Sequence, residues 1–116
     1  MSKLLIQTGS SWNGNKLQPM NIAEPEVNVV KIVVPVGEKL PVHLHSVLNV
    51  GYLVKGELTV HTADGDTLVL KAGESIVEVV NVWHYGESTG TEPAEIVVVY
   101  VGEKGTPITV YKDGNV

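Results

Sequence analysis

Valine crowds into short runs that stop at glycine, aspartate or proline, and this pattern constrains the fold more than any other feature of the chain. Val27, Val29, Val30, Val33, Val34 and Val36 make one run. Val77, Val79, Val80 and Val82 make a second, and Val97, Val98, Val99 and Val101 a third. Branching at Cβ restricts the side chain and favours the extended backbone of a strand. The pattern predicts strands over residues 28–34, 43–45, 49–55, 57–62, 66–70, 75–79, 83–88, 95–101 and 108–111. Turn residues separate them, and Asp64-Gly65 between two alternating segments is a strong hairpin signal. No long window carries a helical period with caps at both ends. The fold class is therefore all-β, a sandwich or barrel of short strands.

The chain has 116 residues, the size of one domain. Residues 1–26 read as an irregular arm, because Thr8–Asn15 is polar and rich in turn formers, with Trp12 as its one large anchor. Residues 27–111 form the single β domain, and 112–116 are expected to fray. The runs Val27–Pro35 and Ile96–Val101 are apolar on both faces. One face fills the interior, so the other needs cover, and a homodimer is expected to supply it.

Composition excludes several functions. Cysteine is absent, which removes disulfides, thiolate metal sites and a cysteine nucleophile. The formal net charge is −5, arginine does not occur, and the eight lysines are scattered. Nucleic-acid binding needs concentrated positive charge, so no nucleic-acid partner is expected. No apolar stretch is long enough to span a membrane, and the start Met1–Gln7 turns polar too soon for a signal peptide. A cytoplasmic protein is expected.

His43 and His45 lie two positions apart in the apolar stretch Pro41–Asn49. Side chains alternate along a strand, so both imidazoles face the same way. His84 lies in another apolar segment, Asn81–Ser88, where an unpaired imidazole would be penalised. If the three meet in one interior they can hold a divalent metal ion. His61 alternates with Val60 and reads as the outer face of a hairpin.

The spacing of these residues resembles the cupin superfamily. Its first motif runs here as Gly37, five residues, His43, Leu44, His45, three residues, Asn49, six residues, Gly56, with Asn49 where the family has glutamate. The second runs as Gly73, Val79, Asn81, His84 and Ser88, which keeps the glycine and the histidine and changes three softer positions. The resemblance implies a double-stranded β-helix, the jelly-roll barrel of cupins. It also implies one divalent transition metal (Zn, Ni, Fe, Mn or Cu) held by His43, His45 and His84, with Asn49 at the carboxylate's place. Asn49 offers only a neutral oxygen, which can ligate weakly, orient a water or stand aside.

Glu78 lies among Val77, Val79 and Val80 and shares strand parity with Ile76. Facing inward, it would ligate the metal or move a proton as a catalytic residue; facing outward, it would break up an apolar edge. Gly51 and Leu53 share the Asn49 face, and with Ile76 they are the expected pocket lining. Tyr52 falls on the opposite face from Asn49, and Trp83 and Tyr85 on the opposite face from His84. The function expected is a metal-dependent cupin enzyme, of the oxygenase, isomerase or lyase kind, acting on a small organic substrate. The alternative is a non-catalytic module that binds or senses a metal or small ligand.

Overall fold

A computed structural model describes residues 1–113; the last three residues of the expected frayed tail lie outside it. Nine strands follow in order: β1 (Pro25–Val34), β2 (His43–Leu44), β3 (Leu48–Lys55), β4 (Glu57–Thr62), β5 (Thr67–Lys71), β6 (Ser75–Val77), β7 (His84–Ser88), β8 (Ala94–Glu103) and β9 (Val110–Tyr111). They form a four-stranded sheet, β1-β8-β3-β6, facing a five-stranded sheet, β5-β4-β7-β2-β9. This is the expected jelly roll, with its barrel realised as two separate sheets. Among the described residues no helix is long and apolar enough to cross a membrane.

Alternation along each strand builds the interior. Val30, Ile32 and Val34 of β1 turn inward, as do Ile96, Val98 and Tyr100 of β8. They meet Leu58 and Val60 of β4, with Leu53, Val34, Val60 and Val79 all but sealed from solvent. Burying a side chain of this kind contributes roughly 1.5–3 kcal/mol. The opposite face of the first sheet stays apolar and open: Val27, Val29 and Val33 of β1 are more than half exposed, and Tyr52 and Val54 of β3, on the other side of β8, are exposed too. Its charged residues pair on the surface, with Lys31 Nζ 2.8 Å from Glu95 Oε1.

The turns explain why particular residues stand at the motif positions. Gly56 has φ of 79°, and a Cβ there would lie 2.7 Å from the Pro93 carbonyl oxygen, so only glycine fits. Asn81, at a position where the cupin motif has glycine, has φ of 58°. Asparagine is among the few residues that tolerate this left-handed backbone, so the change of residue preserves the turn. The backbone N–H of Asn81 donates to the carbonyl of His45 at 2.8 Å, which ties that turn to the histidine segment.

The arm, residues 1–24, contains no strand and is fastened at Trp12. The Trp12 backbone N–H donates to the carbonyl of Val77 at 3.0 Å, and its ring packs against the core. At the other end the Lys112 N–H donates to the Val42 carbonyl at 3.1 Å.

Candidate metal centre

Antiparallel pairing of β2 with β7 sets His43 directly opposite His84. His45 follows just beyond β2 on the same side. The three rings form a triangle with centroids 4.9 Å (His43–His45), 4.4 Å (His43–His84) and 5.2 Å (His45–His84) apart. One ring nitrogen from each lies within 4.8 Å of the others. His45 and His84 are buried and His43 is half-buried.

Backbone carbonyls fix which nitrogen is available. His43 Nδ1 contacts the Pro41 oxygen at 2.6 Å, His45 Nδ1 the Ile108 oxygen at 2.8 Å, and His84 Nδ1 the Val82 oxygen at 2.8 Å. A carbonyl can only accept, so each Nδ1 carries a hydrogen, and in the neutral ring Nε2 keeps the lone pair. This second contact on the far ring nitrogen is what orients a metal-binding imidazole. Burial pushes the His45 pKa down to about 4; the Ile108 carbonyl opposes this and the other two imidazoles add to it. His43 is lowered as well, by burial first. Neutral imidazoles are the form that binds a metal. Three imidazole nitrogen donors, correctly oriented and grouped, fit a divalent transition-metal ion.

The histidines open onto a cavity of about 300 Å³ between the sheets. Asn49, Gly51, Ile76 and Glu78 line it. Asn49 is fully buried, and its Nδ2 donates to the Val47 carbonyl at 3.0 Å, so its oxygen is the group left to offer. Glu78 sits one residue past β6 and faces inward. Its Oε1 accepts from the Trp12 indole Nε1 at 2.7 Å and from the Val79 N–H at 3.0 Å. Its Oε2 lies 3.8 Å from His84 Nε2. Leu53 shares the Asn49 face but is closed into the core and does not line the cavity. A Cβ on Gly51 would lie 2.8 Å from Ile96 Cδ1 and 3.1 Å from Ile76 Cγ2, so the room this glycine leaves is filled by those two side chains.

Two aromatic residues enter the cavity that sequence reasoning missed, Tyr100 and Tyr111. Tyr100 pairs with Asn49 across β8 and β3, and Tyr111 pairs with His43 across β9 and β2. Parity within β8 was the available signal, since Tyr100 alternates in step with the buried Ile96 and Val98. Burial, then the Glu78 charge and Tyr111, push the Tyr100 pKa up to about 12, so its hydroxyl keeps its proton and acts as a donor. Tyr85 lies on the outer face, stacked on His61 at 4.8 Å, and His61 Nε2 meets Glu87 Oε1 at 2.9 Å. A larger groove of about 630 Å³ runs under the arm, bordered by Leu17, Met20 and Val101, and holds none of the three metal-site histidines.

The family model for the Cupin domain matches residues 30–100, which is more than half of the chain. The chain belongs to the cupin family. Solved structures agree on the fold. An RmlC-like cupin with a double-stranded β-helix fold from Methanocaldococcus jannaschii is 26% identical, with a TM-score of 0.62 over 71% of this chain and 74% of that one. An uncharacterized conserved protein with a double-stranded β-helix domain from Klebsiella pneumoniae is 23% identical, with a TM-score of 0.61 over 81% and 88%. The DMSP lyase DddQ from Ruegeria pomeroyi is 17% identical, with a TM-score of 0.66 over 78% of this cupin, which spans only 45% of the lyase. No curated protein matches this cupin.

Proposed function

We propose that this cupin is a metal-dependent enzyme, of the oxygenase, isomerase or lyase kind, acting on a small organic substrate. The observation that carries the reading is the convergence of three Nδ1-protonated imidazoles on one cavity that also contains the Glu78 carboxylate. His43, His45 and His84 would hold the ion through Nε2, and Asn49, which lines the same cavity, would offer its amide oxygen. A bound divalent ion supplies Lewis-acid polarisation of a substrate oxygen. Glu78 accepts and returns a proton through Oε2, because Oε1 is already engaged by Trp12 and Val79. Tyr100 donates its hydroxyl hydrogen to a substrate oxygen, and the apolar walls exclude water. The structural likeness to a lyase supports the fold alone; the chemistry rests on these residues.

The test is turnover by metal-loaded protein against a panel of small acids, carbonyl compounds and phenols. Glu78→Gln is expected to keep the metal and lower turnover by about 10²–10⁴-fold, the range for losing a general acid or base. One observation favours the second reading, a non-catalytic metal or ligand module: the buried residue at the motif carboxylate position is the neutral Asn49. Under that reading the loaded protein turns over nothing in the panel, and chelation lowers its thermal midpoint.

A homodimer is proposed with it. β1 stands at the edge of its sheet, ten residues long, and its exposed valines are followed by the half-buried valines of β8 and by exposed Tyr52 and Val54 of β3. A long apolar edge of this kind invites association. Sedimentation is expected to give a dimer for the wild type and a monomer for Val29→Lys, which puts a charge in the middle of the valine face.

A further inference from the structure

The cavity's charges select among the substrates that its size allows. Valine, leucine and isoleucine are the largest group in its lining and include Val30, Ile32, Val98 and Ile108. Its volume of about 300 Å³ stands at the small end of ligand pockets, about 300–1,000 Å³, which suits a small molecule. Among the described residues no lysine lines it, and the chain has no arginine. Among the described residues Glu78 is the one carboxylate in its wall. The remaining polar groups are neutral: the imidazoles, Asn49, Thr109 and the two tyrosine hydroxyls.

Resting on the metal-site reading above, we infer that the site takes small molecules presenting one ionisable or singly charged oxygen on an otherwise apolar body, and rejects dianions. The charge balance is direct. A divalent ion held by neutral imidazoles and an amide carries two positive charges, and Glu78 offsets one of them. One anionic oxygen from the ligand brings the site to neutrality. A second would leave the site one negative charge in excess, with no lysine or arginine in the wall to offset it, and an uncompensated buried charge is strongly unfavourable. A cupin with glutamate at the Asn49 position carries that extra negative charge in its ligand set. Here the asparagine leaves the charge to be supplied by the ligand, so the residue that departs from the motif becomes the one that sets ligand charge.

The experiment uses cobalt(II)-loaded full-length protein, whose visible spectrum reports a change of ligands. It is titrated with isobutyrohydroxamic acid, which gives up one proton on chelation, and with malonate, a dianion of similar size that also chelates through two oxygens. Each affinity is divided by that of the same probe for aqueous cobalt(II), which removes the intrinsic chelating strength. The corrected preference for the hydroxamate is expected to be at least about tenfold. Glu78→Gln removes the opposing charge and is expected to narrow that preference by about fivefold or more, by improving malonate binding. A corrected preference for malonate, or a ratio unmoved by Glu78→Gln, overturns the inference while leaving the metal site intact. Wild-type protein that takes up no cobalt overturns the metal-site reading itself.

Discussion

His84→Ala is expected to bind divalent transition metals at least about a hundredfold more weakly than the wild type, since losing only a supporting contact to a metal ligand already costs about 10–100-fold. His84 is the ligand brought in by the second sheet's pairing. It faces His43 across β2 and β7, is buried, and is held by the Val82 carbonyl so that Nε2 points into the cavity. Alanine there leaves two imidazoles from one short segment, which cannot surround an ion. Competition against a chelating dye measures the loss. His61→Ala is the control, because that ring lies on the outer face against Tyr85 and Glu87 and is expected to leave the affinity unchanged. Equal loss in both variants would mean that the effect comes through folding and not through ligation.

Leu53→Ala is expected to destabilise the protein by about 3 kcal/mol and to leave metal affinity unaltered. Leu53 is fully enclosed within the core, in the same cluster as Val34, Ile76, Ala94 and Ile96. Truncating an enclosed leucine removes its transfer energy and leaves a cavity, a combined cost of about 2–5 kcal/mol. For a domain of this size that lowers the thermal midpoint by roughly 10 °C. Val29→Ala on the open face is expected to change monomer stability by less than about 0.5 kcal/mol, although it thins the proposed dimer contact. Thermal or urea unfolding distinguishes the two. A small effect at Leu53 would place it at a face that relaxes freely, contrary to its enclosure.

Much of the fold could be read from local pattern, because alternation and turn chemistry act over a few residues. The strand predicted at 57–62 matches β4, and the Asp64-Gly65 turn joins β4 to β5 as expected. Parity also placed Asn49 and Gly51 on the inner face of β3, and Tyr52 on the outer. What could not be read depended on register between distant strands. Tyr100 reaches the cavity because β8 pairs with β3, and Tyr111 because β9 pairs with β2; neither pairing is encoded in the residues beside them. Glu78 was ambiguous for the same reason. Its direction is set by an indole 66 positions earlier in the chain, delivered by an arm with no periodic signal. Leu53 shows the limit of parity from the other side: it shares the inner face, yet its distance along β3 takes it past the cavity into the packed core.

The most direct test is a crystal structure of the metal-loaded protein, with an anomalous-scattering map collected at the absorption edge of the bound metal. The expected result is one peak per chain with Nε2 of His43, His45 and His84 at about 2.0–2.2 Å. A peak bound elsewhere, coordination through Nδ1, or an ion that touches fewer than all three rings would contradict it.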